Sequence, residues 1–384
     1  MKKIKFIILL IIALSFTFSF KSVTVNASNK QIVDINAYSA YLMDYNSNTV
    51  IFSYNENERK PIASMTKIAL LLLAYENVEK GNLSLNQNIT VSKNASGMGG
   101  SQVFLEENGV YSVDTLLKSI TVASANDASV AIAERLYGSE KECVNAMNNK
   151  VKELKLQNTL FANCTGLPAP MQYSSAKDIA ILFSNLIKYE NYFKYSTVWM
   201  DKVAHSKNET EISNTNKLLK RYEGCDGGKT GYTSEAGFCL TATAKRGNMR
   251  LIASVLNAPT SNDRFESVSN MLNYGFSNYT NKCIVDNDIP FDSKLNVRNS
   301  KQKEIEIVSE KDCYIFSKRN EKEIIDSKID LYEVKAPILK GDIVGQITVY
   351  KNGVEACKSN IIANENADKM SYFDYVKELF ENWT

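Results

Sequence analysis

Residues 61–75 read PIASMTKIALLLLAY. A serine and a lysine three positions apart, Ser64 and Lys67, stand directly before the apolar run Ile68–Ala74. A run apolar on every side predicts a helix buried all round. Positions i and i+3 share a helix face, so the Lys67 amine reaches the Ser64 oxygen. A serine hydroxyl is a poor nucleophile until a base takes its proton. A lysine with its ordinary pKa of ~10.4 is protonated at neutral pH and is no base. Desolvation or a second cation lowers it. The apolar run offers the first, and Lys229 in GGKTGYT offers the second. The plainer reading of Ser64 is a polar cap on a buried helix, at an N-terminus whose N–H groups point outward.

Two further short patterns bear on that choice. Ser124-Ala125-Asn126 interrupts the helical spacing of Val113–Tyr137. Ser124 there suits proton delivery to a leaving amine, and the Asn126 amide suits a bond to Lys67 or to substrate. Taken alone, the pair reads as a helix N-cap. Lys229-Thr230-Gly231 opens a strand-like block between glycines that permit close backbone approach. A lysine and a threonine on a strand edge suit a carboxylate, and the edge itself can pair with a peptide. Taken alone, this too is a turn into a strand. Two other serines precede a lysine by three, Ser174 before Lys177 and Ser300 before Lys303. The second reads as lying in a solvated linker.

The 384 residues exceed what one core usually serves, which predicts two domains. Residues 1–27 read as a secretory signal peptide, with MKKIK, the apolar stretch Phe6–Phe20 and Val25-Asn26-Ala27 before Ser28. Residues 28–280 read as one mixed α/β (α+β) domain. An early hairpin spans 35–55, and helices are expected at 140–156, 176–188 and 263–275. A hairpin joins GFCLTATA to MRLIASVLNA. Residues 281–366 hold short alternating segments and read as a small all-β domain, with Lys351-Asn352-Gly353 as a tight turn. In residues 367–384, Tyr372, Phe373, Val376, Leu379, Phe380 and Trp383 share one helical face. That face suits an interfacial membrane anchor or docking on the chain's own domain.

Composition excludes other classes. The 45 basic residues less the four lysines of 1–27 leave 41 against 43 acids, with no electrostatic footprint for nucleic acid. The seven cysteines form no Cys-x-x-Cys pair, which gives zinc no support. Their scatter predicts buried small hydrophobes in place of a disulfide scaffold. The single histidine, His205, sits in DKVAHSKNET and reads as a solvated loop residue. A nucleophilic hydrolase built on this chain needs a base other than histidine.

Together, Ser64-x-x-Lys67, Ser124-x-Asn126 and Lys229-Thr230-Gly231 resemble the three signatures of penicillin-binding proteins and serine β-lactamases. PIASMTK, SANDAS, DGGKTGYTSEAGFCLTATA, GSQVFLEENGVYSVDTLL and NTLFANCTGL resemble the low-molecular-mass D-alanyl-D-alanine carboxypeptidases over residues 33–280. The likeness continues more weakly through the β domain. It implies a β-lactamase/transpeptidase-like catalytic domain with a small C-terminal all-β domain. It implies Ser64 as acylated nucleophile, Lys67 as its base, and Ser124 and Asn126 in mid-site. Lys229 and Thr230, with Gly231 and Tyr232 beside them, would bind the terminal carboxylate. The N–H groups of Ser64 and Tyr232 would form the oxyanion hole. Many relatives carry histidine at the Tyr232 position; a backbone donor survives that change and a side-chain role does not.

The implied activity is removal of the terminal D-alanine from peptidoglycan pentapeptide without metal or organic cofactor. The implied partners are stem peptides ending in D-Ala-D-Ala, β-lactams as covalent inhibitors, and a membrane surface through the C-terminal helix. The implied location is extracytoplasmic, peripheral on the outer face of the membrane. Three alternatives share the motifs: a class A β-lactamase, a DD-endopeptidase and a silent wall-binding protein. QNTLFANCTGLPAP lacks the glutamate with which the first would deacylate.

Overall fold

The computed structural model describes residues 32–381, and the expected signal peptide lies outside them. Its centre is a five-stranded antiparallel sheet in the order β2-β1-β9-β8-β7. These strands are β1 (Ser39–Asp44), β2 (Val50–Tyr54), β7 (Cys225–Thr233), β8 (Gly237–Arg246) and β9 (Met249–Ala258). Two small hairpins stand apart, β3 (Asn88–Thr90) with β4 (Val110–Ser112), and β5 (Met200–Ala204) with β6 (Glu209–Ser213). The β1–β2 turn is held by the Asp44 carboxylate, which accepts from the Ser47 N–H and hydroxyl, both at 2.8 Å. β1 also pairs with β9 along its whole length, so a strand near residue 40 and one near residue 255 form the middle of the sheet.

The strand period of two sorts the core into layers. Ala40 and Leu42 of β1, with Leu251, Ala253 and Val255 of β9, pack on the helix Ser261–Asn278 through Phe265, Val268 and Leu272. Tyr41, Met43, Ile252 and Leu256 face the opposite way, into a helical layer. The helix Lys67–Glu79 lies inside that layer, among helices Asn126–Tyr137, Glu140–Glu153 and Ala176–Leu186. Every residue from Lys67 to Tyr75 is buried, as an all-round apolar run requires.

The helix Ser261–Asn278 runs directly into strand Tyr279–Val285, which opens the β-rich C-terminal region. Its largest sheet has four strands, in the spatial order Ile307–Ser309, Val354–Ala363, Ile343–Lys351 and Ile325–Leu331. Asn352 and Gly353, at φ 51° and 79°, form the two-residue turn that the sequence predicts. Tyr279 stacks on Phe316 at 5.1 Å, and both rings pack beside the helix that ends at Asn278. The terminal helix Tyr372–Glu381 begins with a capping box, Ser371 N–H to Asp374 and Asp374 N–H to the Ser371 hydroxyl.

The cysteines depart in part from expectation. Cys143, Cys164 and Cys239 are buried thiols, but Cys283 is exposed and Cys313 is bonded to Cys357. Two residues 44 apart in sequence meet because β-strands bring them together, and no spacing rule signals that. The bond closes a long loop in a region whose core is small, where a crosslink removes most chain entropy from the unfolded state. Replacing both Cys313 and Cys357 by alanine is expected to destabilise the C-terminal region by about 2–4 kcal/mol. A melting transition of that region unchanged from wild type would contradict this.

Candidate active site

Ser64 sits in a 3-10 turn, Ala63–Thr66, that leads into the buried helix at Lys67. It caps nothing: no side-chain cap closes either the turn or the helix. Just before it, Ala63 takes φ 48°, a left-handed conformation costly for any residue with a Cβ. Two glycines hold the backbone there. A Cβ on Gly166 would lie 2.0 Å from the Ala63 carbonyl oxygen, and one on Gly231 would lie 2.3 Å from the Ile62 oxygen. Only glycine permits both approaches. Loop 163–167 and strand β7 therefore clamp the turn that carries Ser64.

The Lys67 amine is fully buried with three neutral partners. Its Nζ lies 3.1 Å from Ser64 Oγ, 2.6 Å from Asn126 Oδ1 and 2.5 Å from the Thr165 carbonyl oxygen. Burial lowers its pKa to about 7, against a smaller opposite pull from Cys164 and Asp127. Burial and not Lys229 is the cause, contrary to the alternative open in the sequence. A neutral amine has two N–H bonds and one lone pair. The two carbonyl oxygens take the N–H bonds, and the lone pair is left for the Ser64 hydroxyl. Asn126 is fixed in turn, its Nδ2 donating to Gly99 O at 2.7 Å and its N–H to Ser101 O at 2.7 Å.

Ser124 ends the helix Val113–Ala123 in a left-handed conformation, φ 61°, and Asn126 starts the next helix. The break that the sequence reads as a cap turns the Ser124 hydroxyl toward β7, where Lys229 Nζ donates to it at 2.8 Å. Lys229 is buried, and its pKa falls well below the ordinary value through burial, then through repulsion by Lys67 and Arg264. Thr230 donates from its hydroxyl to Thr215 Oγ1 at 2.7 Å. Tyr232 is exposed and stacks on Phe238 at 4.3 Å. The structure thus brings Ser64, Lys67, Ser124, Asn126 and Lys229 into one cluster of two hydrogen-bonded groups, Lys67 with Ser64 and Asn126, and Lys229 with Ser124. Thr230, Gly231 and Tyr232 follow on the same strand.

Several residues of the site escaped the sequence reading. Thr165 supplies a carbonyl to Lys67. Asp127, fully buried, accepts from the N–H groups of Val103, Leu105 and Ala128 and so ties loop 101–105 to the Asn126 helix. Arg264, on the helix Ser261–Asn278, donates to Gly231 O at 3.2 Å and Cys239 O at 3.4 Å beneath β7. A charge on an amphipathic helix gives no signal that it faces inward. Elsewhere, His205 is half-buried and not solvated. Its Nδ1 lies 2.8 Å from the Tyr111 hydroxyl and its Nε2 lies 2.9 Å from Thr210 Oγ1, which ties the β5–β6 hairpin to β4. Ser300 is buried and donates to Asp368 O, while residues 301–303 after it are exposed.

Known proteins resemble this chain in sequence and fold. Residues 24–260 match the family described as D-alanyl-D-alanine carboxypeptidase, and residues 279–369 match the penicillin-binding protein 5 C-terminal domain. D-alanyl-D-alanine carboxypeptidase DacF of Bacillus subtilis (strain 168) is 40% identical over 352 residues, 91% of this chain and 90% of its own. The crystal structure of a peptidoglycan synthesis regulatory factor (PBP3) from Streptococcus pneumoniae superposes with a TM-score of 0.73 at 27% identity. It covers 87% of this chain and 100% of that one. Penicillin-binding protein D2 from Listeria monocytogenes, in its ampicillin-bound form, gives 0.57 at 29% identity over 63% of this chain and 98% of its own. With a catalytic core and a C-terminal region that both match, the chain belongs to the D-alanyl-D-alanine carboxypeptidase family.

Proposed function

We propose that this chain is a serine D-Ala-D-Ala carboxypeptidase that releases the terminal D-alanine of peptidoglycan stem peptides through an acyl-enzyme on Ser64. The observation that carries the reading is the Lys67 amine, buried among neutral partners 3.1 Å from Ser64 Oγ. Lys67 takes the Ser64 proton as the serine oxygen attacks the penultimate carbonyl. The N–H groups of Ser64 and Tyr232 receive the oxyanion. Lys67 passes that proton through Ser124, which Lys229 holds, to the departing D-alanine amine as the C–N bond breaks, and is left neutral again. Lys229 and Thr230 bind the substrate carboxylate, whose charge returns the Lys229 ammonium to favour. Water then hydrolyses the ester. β-Lactams enter as substrate mimics, in keeping with the ampicillin-bound form of penicillin-binding protein D2 from Listeria monocytogenes.

Signal-peptide cleavage and attachment to the outer face of the membrane complete the reading. Tyr372 and Phe373 are 78% and 81% exposed at the start of the terminal helix, which supports an interfacial anchor. Asp374, Glu378 and Glu381 against Lys377 point to zwitterionic lipid over anionic lipid. The chain from residue 28 is expected to float with phosphatidylcholine vesicles, and a chain ending at residue 369 to stay behind. Equal flotation of the two would remove the anchor.

Brief exposure to benzylpenicillin is expected to add the mass of one penicillin to the protein, and nothing to Ser64→Ala. An adduct on the variant would place the nucleophile elsewhere. The rate of that acylation reports the state of Lys67. Because its pKa is lowered to about 7, the base is neutral above that value and protonated below it. Acylation should fall about tenfold per pH unit below 7 and level off above it. A profile still rising toward pH ~10 would mean an ordinary, solvated lysine.

A further inference from the structure

Strained backbone gathers around the site. Among the described residues, five that are neither glycine nor asparagine have positive φ: Ala63, Phe104, Ser124, Lys155 and Met171. Ala63 precedes the nucleophile and Ser124 belongs to the cluster. Phe104 and Met171 stand on the two loops that hold the cluster's partners. Loop 99–105 accepts both amide bonds of Asn126, and loop 163–172 gives Lys67 the Thr165 carbonyl. The loops meet where Gly100 faces the Leu167 side chain, 3.5 Å from where a Cβ would stand.

Each strained residue is pushed outward by its neighbours. The N–H groups of Val103 and Leu105, on either side of Phe104, both bond the buried Asp127 carboxylate. Gln172, directly after Met171, accepts from Ala162 and Asn163 N–H and donates to Leu167 O. The result is φ 60° with 62% exposure for Phe104, and φ 61° with 69% exposure for Met171. Neither residue gains by burial, and glycine or asparagine would adopt either conformation at less cost. Strain kept without a packing gain, beside a reaction centre, points to presentation of the side chain.

We propose that Phe104 and Met171 form an apolar rim that grips the aliphatic stem of the residue preceding D-Ala-D-Ala in the stem peptide. The proposal rests on the carboxypeptidase reading and refines its substrate. A peptide laid along β7 with its carboxylate at Lys229 and its penultimate carbonyl at Ser64 has its preceding residue beyond Ser64. The two loops bond Asn126 and Lys67 next to Ser64, which puts them beside that residue. A benzene ring and a thioether are matched to methylenes. They leave a polar tip of that side chain free in water, as a diamino acid requires. Met adapts to irregular apolar shapes, which suits a flexible chain.

The test compares kcat/KM for Nα,Nε-diacetyl-L-Lys-D-Ala-D-Ala with that for Nα-acetyl-Gly-D-Ala-D-Ala, which lacks the stem. The preference of wild type for the lysyl donor is expected to narrow about tenfold in Phe104→Ser and in Met171→Gly. Phe104→Leu should recover part of it. Met171→Gly should melt at or above the wild-type temperature, because glycine relieves the strain. A preference unchanged in both variants overturns the rim. So does an equal loss on both donors with a lower melting temperature, which would make these residues loop scaffolding. A wild type that hydrolyses neither donor overturns the carboxypeptidase reading, and the rim's substrate with it.

Discussion

The burial of an amine with no anion bonded to it is the constraint on which the site depends. Lys67 reaches neutrality near pH 7 because water is excluded from it, and water is excluded because the helix that carries it is apolar on all sides. Any carboxylate paired with Lys67 would hold it protonated and end its use as a base. The nearby acids are spent elsewhere: Asp127 on three backbone N–H groups, and Glu140 on the Cys164 N–H at 3.1 Å. Three neutral partners around one nitrogen then define its direction. Asn126 and Thr165 fix two hydrogens, and the lone pair faces the Ser64 hydroxyl.

That arrangement needs four segments far apart in sequence to be placed within tenths of an ångström. The sheet supplies the frame. β7 lies at its edge, and its Gly231 backbone presses on Ile62, while the loop through Gly166 presses on Ala63 from another side. The left-handed Ala63 is the outcome of these two contacts and not of local preference. Arg264 stiffens the same strand from below, donating to carbonyls of both β7 and β8. A buried guanidinium bonded to backbone oxygens also keeps the site positive, and its repulsion helps to lower the Lys229 pKa. A substrate ending in a carboxylate thus meets two buried amines and an arginine with no competing protein acid bonded to them.

What the sequence disclosed follows from which interactions are local. Ser64 and Lys67 are three residues apart, so helix geometry alone joins them. The β8–β9 hairpin, the Asn352-Gly353 turn and the helix after Thr260 are likewise read from neighbours. Ser124, Asn126 and Lys229 are legible as patterns, yet their junction rests on a left-handed residue that a helical spacing hides. Spacing gives Asp127, Thr165 and Arg264 no role: Asp127 and Arg264 bond the backbone of distant segments, and Thr165 offers its own carbonyl to Lys67. Cys313 with Cys357, and His205 with Tyr111, fail for the same reason. Their pairing is a property of the sheet and hairpins, which the composition near each residue does not encode.

The same economy of bases bears on what happens after acylation. With no carboxylate bonded to Ser64 or Lys67, Lys67 is the group placed to activate water as well as serine. A peptide donor frees its D-alanine, and the leaving amine vacates the space between Ser124 and the ester. Water can enter there and reach the base. A β-lactam's leaving nitrogen stays tethered to the acyl group through its ring, so the space stays filled and the base stays covered. On the proposed reading, one site with one neutral lysine would turn over a peptide and hold a lactam as its ester. The difference lies in whether the leaving group can depart, and not in any group that the enzyme adds or withholds.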